Sequence, residues 1–185
     1  MPRYVAFLRA INVGGHTVRM ERLRELFTAL RLSDVATFIA SGNVIFTTRS
    51  TTPAALEARI ESGLARALGY DVATFVRPVS ALPAIAAVRP FQAAAHAGDP
   101  AVESGALWVG FLKTVPADEV QRRVEALSSN LDELRMKGRE IYWSSRTKMS
   151  EAVITSARLE KILGAPATFR NVTTVRKLAE TYAGI

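Results

Sequence analysis

Three short segments carry residue types that could do chemistry, and each reads as a junction between a strand and a helix. The first is Arg9-Ala10-Ile11-Asn12-Val13-Gly14-Gly15-His16. Glycines let the backbone turn sharply and bare its N–H groups there. A helix N-terminus just beyond adds partial positive charge, so an anion could sit against Gly14 and Gly15. The spacing matches neither the dinucleotide-binding fingerprint nor the phosphate-binding loop of nucleotide hydrolases, and a plain tight turn needs the same glycines. A histidine such as His16 could act as an acid or base near neutral pH, but no carboxylate is spaced to orient it, so it reads as a solvent-facing loop residue. The second segment is Ser144-Ser145-Arg146-Thr147-Lys148. Two cations and three hydroxyls beside a helix start could hold phosphate. The third, Arg170-Asn171, precedes the last helix in the same manner. Ser41-Gly42-Asn43 offers a hydroxyl and an amide, but it lacks the nucleophile elbow of a hydrolase and reads as a hairpin turn. The candidate ligand-binding set is therefore Arg9, Asn12, Gly14, Gly15, Ser41, Asn43, Lys148, Arg170 and Asn171. All of these residues also suit ordinary caps and turns. No paired carboxylates, nucleophile triad or metal-ligand cluster stands out, so no catalytic residue, metal or cofactor is assigned.

Composition narrows the classes. The chain of 185 residues has no Cys and only two His, His16 and His96, which leaves no disulfide, no thiol nucleophile and no ordinary zinc set. Its net charge of +7 suits a polyanion partner, either an anionic small molecule or nucleic acid. The basic residues are nevertheless spread along the chain, with no run like a basic tail, so the charge equally suits a solvated surface. No stretch reaches the roughly 20 apolar residues that span a bilayer. The first ten residues run straight into a strand pattern rather than a signal peptide, so a cytoplasmic protein without a membrane partner is expected.

Periodicity supplies the elements that must position these segments. Tyr4 to Leu8 is an unbroken apolar run, as in a buried strand. Leu23, Leu26, Phe27 and Leu30 make a helical stripe. Strands are expected at 35–40 and 44–47. Thr52 and Pro53 suit the N-cap and first position of a helix with stripe Leu56, Ile60, Leu64 and Leu68, ended by Gly69. A strand over 71–77 and a short helix capped by Ser80 follow. Residues 91–105, rich in Ala, Gly and Pro, read as a linker. The order then repeats: a strand over 107–113, a helix opened by Pro116, a hairpin of 131–136 and 139–144, a helix over 149–163 ended by Gly164, a strand over 167–170, and a last helix capped by Thr173 or Thr174.

The expected fold is thus α+β, with two tandem ferredoxin-like (split β-α-β) modules. Each half runs β-α-β-β-α-β with extra helices: 1–90 is the first module, 91–105 the linker and 106–185 the second module. Tyr4-Val5-Ala6-Phe7-Leu8-Arg9 answers Trp108-Val109-Gly110-Phe111-Leu112-Lys113 type by type, and Ala73-Thr74-Phe75-Val76-Arg77 resembles Ala167-Thr168-Phe169-Arg170, which favours an internal duplication. Both faces of the first strand of each half are apolar, so both faces of each sheet should be covered. Phe7, Leu26, Leu64, Phe111, Val124 and Ile162 are expected in the core. The split module also underlies the RNA-recognition motif. Here, however, Lys137-Gly138-Arg139-Glu140-Ile141-Tyr142-Trp143 puts charge where stacking aromatics belong.

Three motifs in order resemble the bacterial domain of unknown function 1697. They are Arg9-Ala10-Ile11-Asn12-Val13-Gly14-Gly15 after the first strand, Ser41 to Phe46, and the closing Pro166 to Leu178. One departure is Ala10, where the family usually carries Gly. The resemblance implies two ferredoxin-like halves and no known activity.

Three functional readings follow. The first is a non-catalytic binder of an anionic ligand, in which Arg9, Lys148 and Arg170 gather at one edge. The second is a small-molecule enzyme with a cleft between the modules. The third is a protein-interaction module.

Overall fold

The computed structural model describes residues 1–12, 15, 17–39, 42–49, 52–89, 107–145 and 154–184. The expected linker therefore lies outside the described residues. The first run of elements is β1 (Arg3–Leu8), α1 (Met20–Ala29), β2 (Ser33–Phe38), β3 (Asn43–Thr47), α2 (Pro53–Leu68), β4 (Thr74–Pro78), a 3-10 turn (Val79–Ala81) and α3 (Leu82–Ala87). The second is β5 (Leu107–Phe111), α4 (Asp118–Glu125), β6 (Asp132–Lys137), β7 (Glu140–Ser145), α5 (Ser156–Leu163), β8 (Thr168–Asn171) and α6 (Val172–Tyr182). Each run builds a four-stranded antiparallel sheet, ordered β2-β3-β1-β4 and β6-β7-β5-β8. That is the split β-α-β arrangement twice, an α+β protein of tandem ferredoxin-like modules.

By compactness the chain divides into Met1–Leu82 with Thr181–Ile185, and Pro83–Glu180. In the first unit, Tyr4, Ala6 and Leu8 of β1 pack with Leu23, Leu26 and Phe27 of α1 and Leu56, Ile60 and Leu64 of α2. Phe46 joins them, with Tyr4 and Phe27 ring centroids 5.9 and 5.8 Å away. In the second unit, Leu112, Val124, Leu134, Ile141, Trp143 and Leu159 form the corresponding core. The opposite sheet faces are buried too, through Val5, Phe7, Ile45 and Phe75 in one and Leu107, Val109, Phe111 and Tyr142 in the other. Part of the cover in the second unit is α3, where the Tyr142 hydroxyl donates to the Ile85 carbonyl at 3.1 Å. Burial first, then the Glu140 carboxylate, holds that phenol far above its usual range.

Local signals in the sequence explain most boundaries. Thr52 accepts from the Ala55 N–H and Gly69 closes α2 at φ 81°, so both ends of that helix are capped as expected. Five of the six expected core residues are buried, and Ile162 is half-buried against the second core. Other boundaries move. Ser80 lies inside the 3-10 turn and caps nothing by its side chain. α5 begins at Ser156 because Thr155 accepts from the Arg158 N–H at 3.2 Å. The part of the expected helix over 149–153 lies outside the described residues. α6 is capped by Asn171 rather than Thr173 or Thr174, since Asn171 Oδ1 accepts from the Thr173 N–H at 2.8 Å. β2 starts and stops two residues early, with an irregular pairing between Ser33 and Ala36 where Asp34 has φ 50°. β4 starts at Thr74, three residues late.

Candidate functional site

At one end of the first sheet, the segments after β1 and before β3 meet. The Leu8 N–H donates to the Gly42 carbonyl and the Arg9 N–H to the Ala73 carbonyl, both at 2.8 Å. Ala10 then turns with φ 55°, which explains why glycine suits this position. The Ile11 side chain is buried, and its carbonyl accepts from the Tyr70 hydroxyl at 3.2 Å. Asn12 Oδ1 accepts from the Val18 N–H at 2.7 Å and so closes the loop between them. Gly15 has φ 85° with open space around it, so conformation rather than close approach calls for glycine there. Gly42 differs: it combines φ 71° with a contact in which an added Cβ would lie 2.9 Å from Ile11 Cγ2. Ile39 beside it has φ 49°, an outlier for a β-branched residue, and is 55% exposed. Asn43 is buried, and its side-chain amide donates to the Phe38 carbonyl at 3.1 Å.

Arg9, Asn12, Gly15 and Asn43 lie among the described residues of the first unit, while Gly14, Ser41 and Lys148 lie outside the described residues. Asn12 and Asn43 each use a side chain to fasten their own backbone. Asn171 does the same as the cap of α6.

Arg170 is a core residue of the second unit. Its Nη1 donates to Thr168 Oγ1 and to the Phe169 carbonyl, both at 2.9 Å. Burial pulls its guanidinium down to about 10. Its counterpart is Arg77, to which sequence reasoning assigned no site role. Arg170 pairs with Val109 and Arg77 with Val5, and Arg77 Nη1 donates to the preceding carbonyl, Val76, at 3.0 Å. Val5 and Val109 correspond in the two first strands, so Arg77 answers Arg170 and Val76 answers Phe169. The sequence comparison that matched Phe75 to Phe169 is thus one residue out of step. Also missed were carboxylates that hold backbone amides: Glu57 on Val76 and Glu61 on Thr74, both at 2.8 Å. Buried Asp132 accepts from the Trp143 indole at 2.8 Å. Glu57 and Glu61 were legible only as an i, i+4 pair beside the stripe of α2.

Among the described residues, no three His, Asp or Glu side chains cluster to hold a metal ion. A groove of about 410 Å³ in the first unit runs between α2 and residues 71–73, but its charged lining is Glu61 and Asp71, which suits no anion. Among the described residues, no helix is long and apolar enough to cross a membrane.

Fold and loop together define a tandem ferredoxin-like α+β protein whose first strand leads into a fastened, glycine-containing turn. The chain belongs to the family described as protein of unknown function (DUF1697), whose model matches residues 1–142. That span holds the first two motifs, and the closing motif Pro166 to Leu178 lies beyond it. The chain is similar to the conserved bacterial protein SP0830 from Streptococcus pneumoniae, with 25% identity, a TM-score of 0.73 and 98% of each chain covered. A comparison with curated proteins found no match.

Proposed function

We propose that this is a cytoplasmic, non-catalytic binder of an anionic ligand: a nucleotide, a phosphorylated metabolite or nucleic acid. The observation that carries the reading is the turn after β1. Its backbone is held by the bonds at Leu8, Arg9, Ile11 and Asn12, while Ala10 and Ile39 sit in conformations that cost energy. Strained backbone persists where its surroundings over-determine it, and such places gather at binding sites. The net charge of +7 supports an anion as the occupant. In this reading the candidate contacts are Arg9, Gly14, Gly15 and Ser41 in the first unit and Lys148 in the second. Asn12 and Asn43 fasten backbone in the first unit, and Asn171 and Arg170 fasten backbone in the second. The proposal also takes the two units as products of one duplication. Equal strand order supports that, as do the matching roles of Arg77 with Arg170 and of Glu61 with Glu160.

The test is a thermal-shift screen with inorganic phosphate, nucleotides and sugar phosphates, plus filter binding of an oligonucleotide at low and moderate salt. The expected result is a stabilising anion or a retained oligonucleotide, with affinity falling steeply as salt rises because phosphate contacts release counterions. Arg9→Ala with Lys148→Ala should weaken that binding at least tenfold and leave the urea midpoint unchanged. No shift with any anion and no retention at low salt would remove the reading.

A further inference from the structure

The outward N–H row of β6 is occupied by side chains. Asp132, Leu134 and Met136 turn their amides away from β7, alternate residues of an edge strand. Asp132 N–H donates to Ser129 Oγ at 3.2 Å, Leu134 N–H to Ser128 Oγ at 2.9 Å and Met136 N–H to Glu125 Oε1 at 2.8 Å. The outer carbonyls are engaged as well: Asp132 accepts from the Ser129 N–H at 2.7 Å and Leu134 from the Ser128 hydroxyl at 3.4 Å. The segment that ends α4 thus takes the place of a neighbouring strand along β6.

The outer edge of β4 is closed by a different set of residues. Thr74 and Val76 give their amides to Glu61 and Glu57, and the next outward position is Pro78, which has no N–H. The geometry suits this. Two residues of strand advance about 6.6 Å, and four residues of helix advance about 6 Å. Two carboxylates one turn apart therefore reach alternate amides. In the second unit Glu160 makes the bond equivalent to that of Glu61, accepting from the Ala167 N–H at 2.9 Å. Of the two remaining edges, β8 has this bond just before its first residue, and β2 is bent by its irregular pairing at Asp34. A bulge of this kind spoils an edge for pairing.

We propose that these side chains are edge seals: they shut β4 and β6 against strand addition by a second copy of this chain or by an extended peptide. A partner of this protein then has to use another surface. The inference does not depend on anion binding.

The experiment uses the full chain. Hydrogen exchange is read at Leu134 and Met136, and sedimentation velocity is run over a hundredfold range of concentration. In the wild type both amides should exchange slowly for an edge strand, and the chain should not associate. Glu125→Leu removes one acceptor, and Glu125→Leu with Ser128→Ala removes two. Exchange at the matching amides should rise at least tenfold and concentration-dependent association should appear. Glu125→Gln keeps an acceptor oxygen and should behave as wild type. Fast exchange at Leu134 and Met136 in the wild type would overturn the proposal whether or not the variants fold. So would folded variants with opened amides that do not associate.

Discussion

Ala10 has a left-handed backbone at φ 55° and is fixed by its neighbours on both sides. An L-residue in that conformation costs about 1–2 kcal/mol, which glycine avoids. Glycine loses more freedom on folding, which offsets part of the gain, by about 0.5–1 kcal/mol. Ala10→Gly is therefore expected to raise stability by about 0.5 kcal/mol, seen as a higher urea midpoint at unchanged slope. A lower midpoint would mean that the turn carries no strain. Gly42 has the reverse constraint, because its left-handed φ and its contact with Ile11 both exclude a Cβ. At this scale the sequence was informative about residue types and silent about roles. Asn12, Asn43 and Asn171 were legible as polar residues at junctions. That each bonds backbone depends on where a loop closes, which spacing does not specify.

At the scale of elements, β5 and β8 show how the two units solve one packing problem with different side chains. Gly110 pairs with Phe169, and a Cβ on Gly110 would meet the Phe169 ring at 2.5 Å. The ring in turn lies edge-on to Trp143, with centroids 5.9 Å apart. In the first unit the same pair is Ala6 and Val76. A small residue faces a large one in the second unit, and two of middling size face each other in the first. Gly110→Ala is expected to cost about 1–3 kcal/mol through overpacking. In a Phe169→Val background, which copies the first unit, the same change should cost about 1 kcal/mol less. Chemical denaturation of the four proteins of that cycle measures the difference. Equal cost in both backgrounds would show that the ring is not the obstacle.

At the scale of the whole molecule, chain order and packing order part company at both ends of the second unit. Pro83 onward packs with the second unit although α3 follows β4, and Thr181–Ile185 packs with the first although it begins within the last turn of α6. Within the first unit, Tyr182 meets Phe38 edge-on at 6.2 Å, and Arg3 Nη1 donates to the Tyr182 carbonyl at 3.3 Å. An aromatic pair of this kind contributes about 0.5–1.5 kcal/mol beyond its buried area. Tyr182→Ala should therefore destabilise the protein by about 1 kcal/mol or more. Amide exchange should quicken in β1 and β2 while β5 and β7 keep their protection. Faster exchange confined to the second sheet would contradict the division.

By itself the sequence determined the element order, the caps at Thr52, Gly69 and Gly164, and the apolar stripes of the helices. Those are local matters of periodicity and backbone preference, read within one or two turns of chain. It also determined that both faces of β1 and β5 would be buried, because consecutive residues on each strand, which point to opposite faces, are apolar. Only the tertiary structure decided what the polar residues do. Arg170, shortly before α6, looked like a ligand cation and is a buried residue of β8, since strand pairing turns its side chain inward. Glu57, Glu61, Glu125 and Ser128 drew no reading from the sequence and hold the amides of edge strands. A polar group bonds whatever the fold brings within about 3 Å. That partner lies 6 to 19 residues away along the chain for these four groups. A helix must dock on its sheet before a carboxylate on its flank meets an amide at the sheet edge, and no spacing along the chain records that docking.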